Sequence, residues 1–136
     1  MLKQLILNGY GEKEDFNCAE KILYGANEAY QLGMTKEAMR MAAGFGGGMG
    51  IGSVCGVLTA CVMVFSHLFV KENAHESQRI KVLTQELFSE YQREMEELLC
   101  EPLKDRYRTE EYKCRYIIAK GAEVLDRIVS RERSCG

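Results

Sequence analysis

The sequence predicts an all-α protein, a single helical bundle of five or six helices, and three observations support this. The 136 residues include only one proline. Apolar residues recur at spacings of three and four along several segments, which is the period of a helix face. Residues that favour helix ends, such as Asn17 and Gly33, flank these segments. Since no repeat or linker divides the chain, we expect one domain over residues 1–136.

The first part of the chain predicts two helices. Asn17 is placed to cap the first, which runs from Cys18 to Tyr30, and Glu20 stands where the partner of a capping box belongs. Thr35 is placed to cap a shorter second helix. Both helices carry apolar residues on one face, so we expect them to cover a common core.

A charge-free window occupies the middle of the chain. All 38 charged residues lie outside the 30 residues from 41 to 70. The window begins with a glycine-rich loop, GFGGGMGIG, which contains too much glycine to be a helix interior. Ser53 is then placed to cap a helix from about 54 to 70 that is apolar on nearly every side. Its 17 residues fall short of the ~20 that a bilayer requires, so we expect a buried central helix and no membrane span.

The second half of the chain predicts a long helix, a short one and a final one. Apolar residues trace a stripe from Ile80 to Leu98. Pro102 either ends that helix or opens a short new one. The last helix follows Thr109 and has an apolar stripe that extends as far as Val129. These elements complete the predicted bundle.

Composition excludes two classes of protein. The net charge of −2 argues against a nucleic-acid binder, which would normally carry a basic excess. Six cysteines suggest a secreted disulfide framework, but the apolar run near the N-terminus, LKQLIL, is too short for the core of a signal peptide. We therefore expect a cytoplasmic protein with reduced thiols. In that setting cysteines serve more often as metal ligands, redox groups or core residues than as bridges.

Four of the cysteines stand at predicted helix starts or breaks. Cys18 and Cys55 lie in first turns, where backbone N–H groups and the helix dipole favour a thiolate. Cys100 precedes a helix break, and Cys114 heads the apolar stripe of the last helix. No C-x-x-C pair is present, so spacing alone predicts neither a zinc ribbon nor a dithiol motif. A shared site would have to be assembled by the fold, and buried core cysteines remain an open alternative.

Five segments resemble a known family, the redox-active proteins labelled C_GCAxxG_C_C. The resemblance rests on Asn17-Cys18-Ala19, on the tract from Gly44 to Gly50, on Cys55-Gly56-Val57-Leu58-Thr59-Ala60, and on two later cysteines. It covers most of the chain in the family's order. Two positions depart from the family's motif: Val57 stands where it has alanine, and Ala60 stands where it has a second glycine. Both residues are small and apolar, so the departures affect close packing more than chemistry.

The resemblance implies a small, mostly helical protein in which four cysteines form the redox group. The matching positions are Cys18, Cys55, Cys100 and Cys114. A related domain occurs in a cytochrome of sulfate-reducing bacteria, where an iron–sulfur cluster has been proposed. The resemblance supplies no substrate.

Three hypotheses for function follow. The first is a convergent cysteine quartet that binds an iron–sulfur cluster, or another thiolate-bound metal, for electron transfer. The second is a thiol–disulfide oxidoreductase or redox sensor without metal. The third is a non-catalytic oligomeric scaffold with buried structural cysteines. The sequence identifies no redox partner, and it leaves open whether the protein is an enzyme and whether it forms a homodimer.

The remaining glycines and cysteines receive simpler interpretations. We expect the glycines to let backbone come close to a neighbouring helix or a bound cluster. These close-approach glycines are Gly46, Gly47, Gly48, Gly50 and Gly56. Cys61 lies six residues after Cys55, about 240° round a helix, so we expect it in the core. Cys135 belongs to a charged tail and is expected to be exposed.

Overall fold

The computed structural model describes residues 1–134, and within them the prediction of an all-α protein is confirmed. The helices are α1 (Leu2–Leu7), α2 (Cys18–Tyr30), α3 (Lys36–Met39), α4 (Gly56–Phe69), α5 (Arg79–Met95), α6 (Cys100–Tyr107) and α7 (Arg115–Ser134). The described residues thus form seven helices where five or six were expected. The addition is the short α1, and short 3-10 turns lie between several of the others.

Helix α4 is the buried centre of the bundle. It packs against α2, α5 and α7, and half of its residues are buried. Across residues 1–134 the buried set contains no charged or strongly polar residue. A helix that is apolar on every side has to be covered on every side, because each exposed apolar face loses the stabilisation that burial provides. The sequence-based prediction of a central helix preceded by a glycine-rich loop is therefore confirmed.

Helix α1 depends on a distant residue for its start. Met1 provides no side-chain cap, and the carboxylate of Asp126 on α7 instead accepts the backbone N–H groups of Leu2 and Lys3, both at 3.0 Å. The same carboxylate accepts the hydroxyl of Tyr30 at 2.6 Å. One side chain thus joins three helices. This cap lies more than 120 residues away, so local sequence does not predict α1.

The capping box at the start of α2 is present as predicted. The side chain of Asn17 accepts the N–H of Glu20, and the side chain of Glu20 accepts the N–H of Asn17, both at 2.9 Å. The amide nitrogen of Asn17 also donates to the carbonyl of Ala43 at 2.9 Å. This third bond ties the start of α2 to the segment that leads into the glycine-rich loop.

Helix α4 begins two residues later than the sequence suggests. Cys55 occupies the N-cap position, and the helix starts at Gly56. The reason is a short antiparallel bridge with the segment before α6: the N–H of Cys55 donates to Leu98 at 2.9 Å, and the N–H of Cys100 donates to Ser53 at 2.7 Å. The backbone around Ser53 therefore pairs with another segment instead of starting the helix.

The helices of residues 1–134 include none that is both long enough and apolar enough to cross a membrane. The most apolar of them, α4, has 14 residues.

Replacement of Gly121 by alanine is expected to destabilise the bundle. A methyl group at Gly121 on α7 would overlap the side chain of Val57 on α4. Overpacking of this kind costs about 1–3 kcal/mol, so urea unfolding should show a loss of that size in the free energy of unfolding. The matched control is Gly44→Ala, because no atom lies within 4 Å of the place its methyl group would take. Equal losses in the two variants would contradict this packing.

Candidate functional site

Four cysteines from four separate segments line one small cavity. Its volume is about 30 Å³. The cysteines are Cys18, Cys55, Cys100 and Cys114. The rest of its lining consists of Gly47, Leu103, Lys104 and Ile117. The structure thus brings together all four cysteines selected from the sequence, and the role assigned to them stays a prediction.

Each of these cysteines stands at the start of a helix. Cys18 and Cys100 are the first residues of α2 and α6, and Cys55 and Cys114 immediately precede α4 and α7. The first turn of a helix has backbone N–H groups without intrahelical partners and carries the positive end of the helix dipole. Both effects stabilise a thiolate. The meeting of four helix starts therefore favours negative charge on sulfur at this point.

Cys18 and Cys55 form a hydrogen-bonded pair of unequal acidity. The thiol of Cys55 donates to the sulfur of Cys18, and this bond is the largest cause that lowers the pKa of Cys18 to about 6. Burial opposes the shift, while the backbone N–H groups of Gly47 and Ala19 add to it. The pKa of Cys55 is raised, first by the same hydrogen bond and then by burial. The hydrogen bond thus favours the thiolate form of Cys18 and the thiol form of Cys55.

The four thiols divide into an inner and an outer pair. Cys55 and Cys100 are 4% and 5% exposed, whereas Cys18 and Cys114 are half-buried. Burial raises the pKa of Cys100, and the ammonium group of Lys104, one turn further along α6, opposes this shift. Solvent therefore reaches the cavity from the side of Cys18 and Cys114.

Three of the five selected glycines allow close approach. A methyl group at Gly56 would lie 2.8 Å from the Cys18 sulfur and 2.6 Å from the carbonyl oxygen of Phe45. At Gly48 it would lie 2.8 Å from Cβ of Cys100, and at Gly46 it would overlap the side chain of Asn17. Each distance is shorter than real Cβ contacts allow. These glycines let the backbone come close to two of the four cysteines.

Gly47 and Gly50 have a different reason to be glycine. No atom lies within 4 Å of the place where a methyl group would stand at either position. Their φ angles are +66° and +74°, a left-handed conformation that glycine adopts without strain. The turn of the loop is what requires glycine at both positions, and at Gly47 the backbone N–H nevertheless reaches the Cys18 sulfur.

The comparison with known families agrees with this arrangement of cysteines. A family model described as "Putative redox-active protein (C_GCAxxG_C_C)" matches residues 16–128, which is most of the chain and includes all four cysteines. The chain belongs to the C_GCAxxG_C_C family. The resemblance seen in the sequence is confirmed, and the protein is described as redox-active at the level of the family. No curated protein and no solved structure matches it.

Cys61, which lies outside the C_GCAxxG_C_C pattern, does not line the cavity. Cys61 on α4 is fully buried, its sulfur lies 4.0 Å from the carbonyl oxygen of Gly121, and burial raises its pKa. It is a core residue, as expected. Cys135 lies outside the described residues, so its expected exposure stays a prediction.

Lys104 is a residue of the site that sequence reasoning missed. It lines the sulfur cavity and also a larger cleft outside it. The available signal was its spacing: Lys104 follows Cys100 by four residues, and such residues share one face of a helix. The break expected near Pro102 obscured this relation.

Replacement of Cys55 by alanine is expected to raise the pKa of Cys18. The variant removes the hydrogen bond that lowers this pKa most. At pH 5, each unit of rise reduces the thiolate fraction, and hence the rate of alkylation of Cys18 by iodoacetamide, about tenfold. Rates are measured against pH by mass spectrometry of the Cys18 peptide. The control, Cys61→Ala, should leave the profile unchanged, and an unchanged profile in Cys55→Ala would contradict the pairing.

Proposed function

We propose that the four cysteines hold an iron–sulfur cluster, or another thiolate-bound metal, that carries electrons. The observation that supports this most is the convergence of four thiols from four helix starts on one cavity. A simple structural role requires no such convergence. Thiolates are the usual ligands of iron–sulfur clusters and also bind copper, and both can exchange electrons.

The residues that line the cavity are chemically suited to a metal that is bound by thiolates. Apart from the sulfurs, its described lining consists of one glycine, two aliphatic side chains and Lys104, without histidine or carboxylate. Such an all-sulfur donor set selects soft metals over magnesium or calcium, which prefer oxygen. The bound group would supply reversible one-electron chemistry, and the four cysteines would hold it.

A cluster is named first in this proposal because it makes less strict demands on the positions of its donors than a single ion does. Within residues 1–134, no three histidine, cysteine, aspartate or glutamate side chains form a ready-made group for one ion. A tetrahedral ion requires sulfurs about 4 Å apart, whereas a cluster distributes four cysteines over two or more irons and accepts wider separations. The cavity of about 30 Å³ corresponds to about one water molecule's share of liquid volume. It therefore has to widen to admit a cluster, and Cys55 and Cys100 have to lose their protons.

Anaerobic reconstitution with iron and sulfide tests this proposal. We expect a coloured protein with a visible thiolate-to-iron absorption band and stoichiometric iron. Serine replacement at any one of the four cysteines should remove most of the bound iron, because each replacement removes a thiolate ligand. Cys61→Ala is the matched control and should retain iron and colour. A colourless protein after reconstitution, or four serine variants with unchanged iron content, would contradict the cluster.

A second function is favoured by the hydrogen-bonded pair of Cys18 and Cys55. A thiolate beside a thiol is the arrangement that thiol–disulfide exchange requires. The Cys18 thiolate would attack a substrate disulfide and release one thiolate. The Cys55 sulfur would then attack Cys18 and release the second, and the proton of Cys55 would go to that leaving group. The substrate disulfide gains two electrons and becomes one thiol and one thiolate, which takes its proton from water, while the cysteine pair loses two electrons and becomes a disulfide.

Thiol counting under mild oxidation tests the second function. The reduced, metal-free protein, treated with an excess of oxidised glutathione, should lose two free thiols. Peptide mapping should identify a bond between Cys18 and Cys55, because these two side chains are hydrogen-bonded. Cys18→Ser should abolish the loss, and Cys61→Ala should not. An unchanged thiol count in the wild-type protein would exclude disulfide cycling.

A further inference from the structure

A larger cleft lies directly outside the sulfur cavity. Its volume is about 410 Å³, which falls in the range of small-molecule binding sites. Its lining includes Cys18, Gly47, Lys104 and Cys114, which also line the sulfur cavity. The outer pair of thiols therefore separates the cleft from the inner pair. A molecule in the cleft contacts the redox group without entering the core.

The cleft is rich in positive charge, although the whole chain is slightly negative. Its basic residues are Lys21, Lys104, Arg108 and Lys113, and its acidic residues are Glu12, Asp15 and Glu111. One carboxylate, Glu12, is already paired with Arg115, whose Nε donates to it at 3.1 Å. Four cations and two carboxylates remain in the lining. The net charge of the protein is −2, so the cleft stands out electrostatically from the rest of the molecule.

Lys104 connects this charge with the thiols. It is half-buried, it lines both spaces, and its ammonium group influences Cys100 directly. Phe16, Tyr112 and Ile118 add apolar surface to the cleft. Charged groups beside an apolar surface, with the Cys18 sulfur at the inner end, suit a site that orients a small charged molecule.

We propose that the cleft binds a small anionic molecule, bearing carboxylate or phosphate groups, and holds it against the Cys18 sulfur. This proposal adds a ligand to the proposed function. It rests on that function in one respect only, which is that Cys18 is part of the redox group. Binding itself requires neither a cluster nor a disulfide. The cations attract the ligand, and the small volume of the cleft limits its size.

A pair of alkylating reagents that differ in charge tests the proposal. The full chain, reduced and freed of metal by a chelator, is treated with anionic iodoacetate or neutral iodoacetamide, and modification of Cys18 is followed by peptide mass. The ratio of the two rates, iodoacetate over iodoacetamide, should exceed that of 2-mercaptoethanol by about threefold or more, because the cations concentrate the anion. A ratio no higher than that of the free thiol would overturn the proposal.

Charge variants identify the source of the effect. Lys104→Gln and Arg108→Gln should each lower the rate ratio, because each removes a cation of the cleft. The matched control is Lys81→Gln, an exposed lysine on α5 outside the cleft, and it should leave the ratio unchanged. Circular dichroism spectra of the variants are compared with that of the wild-type protein to check that each variant folds. Equal effects in the three variants would overturn the proposal, because they would reflect the overall charge of the protein.

Protection experiments identify the ligand chemistry. Malonate or inorganic phosphate, at constant ionic strength, should slow the alkylation of Cys18 by iodoacetamide. Stronger protection by malonate assigns a carboxylate ligand, and stronger protection by phosphate assigns a phosphate-bearing one. Protection by neither would overturn the proposal even if the rate ratio is high, because the effect would then arise from long-range attraction alone. None of these outcomes depends on iron loading, so failure of the cluster experiment leaves them interpretable.

Discussion

The burial of the charge-free helix α4 is the constraint on which the rest of the structure depends. Half of its residues are buried and only Ser66 and His67, near its end, are exposed, because α2, α5 and α7 pack around it. Four helices, α4 among them, begin around one point at the edge of this core. The cysteines at those starts therefore meet in an environment that contains little water. The same burial that stabilises the bundle keeps two of the thiols protonated.

The sequence predicts the parts of this fold that depend on local pattern. Helix periodicity and the capping box at Asn17 indicate the class and the start of α2, and the charge-free window identifies α4. Helix α1 has no local signal, because its cap is Asp126, far along the chain. The start of α4 is displaced for a similar reason, since the backbone of Ser53 and Cys55 pairs with the segment around Leu99. Hydrogen bonds between segments far apart in the sequence determine where both helices begin.

The sequence identifies residues of the candidate site but does not show how they are arranged in space. Their places at predicted helix starts or breaks and the resemblance to a family selected the four cysteines, whereas their spacing gave no reason for them to meet. The hydrogen bond between Cys18 and Cys55 and the cleft around Lys104 depend on how α2, α4 and α6 pack, which one sequence does not specify. The glycines show the same limit. Composition indicates the loop, but only the packing distinguishes Gly56, where a methyl group would overlap the Cys18 sulfur, from Gly50, where it would meet no atom within 4 Å.

Two backbone hydrogen bonds join the end of the glycine-rich segment to the start of α6, and they restrain the parts of the site that they connect. They involve the amides of Cys55 and Cys100, the residues that carry the inner thiols. Main-chain hydrogen bonds thus hold together the two segments that carry the inner sulfurs. Among the described backbone bonds, none joins the segments that carry the outer sulfurs in this way. Movement at this site therefore breaks fewer main-chain bonds on the side of Cys18 and Cys114 than between the segments of Cys55 and Cys100.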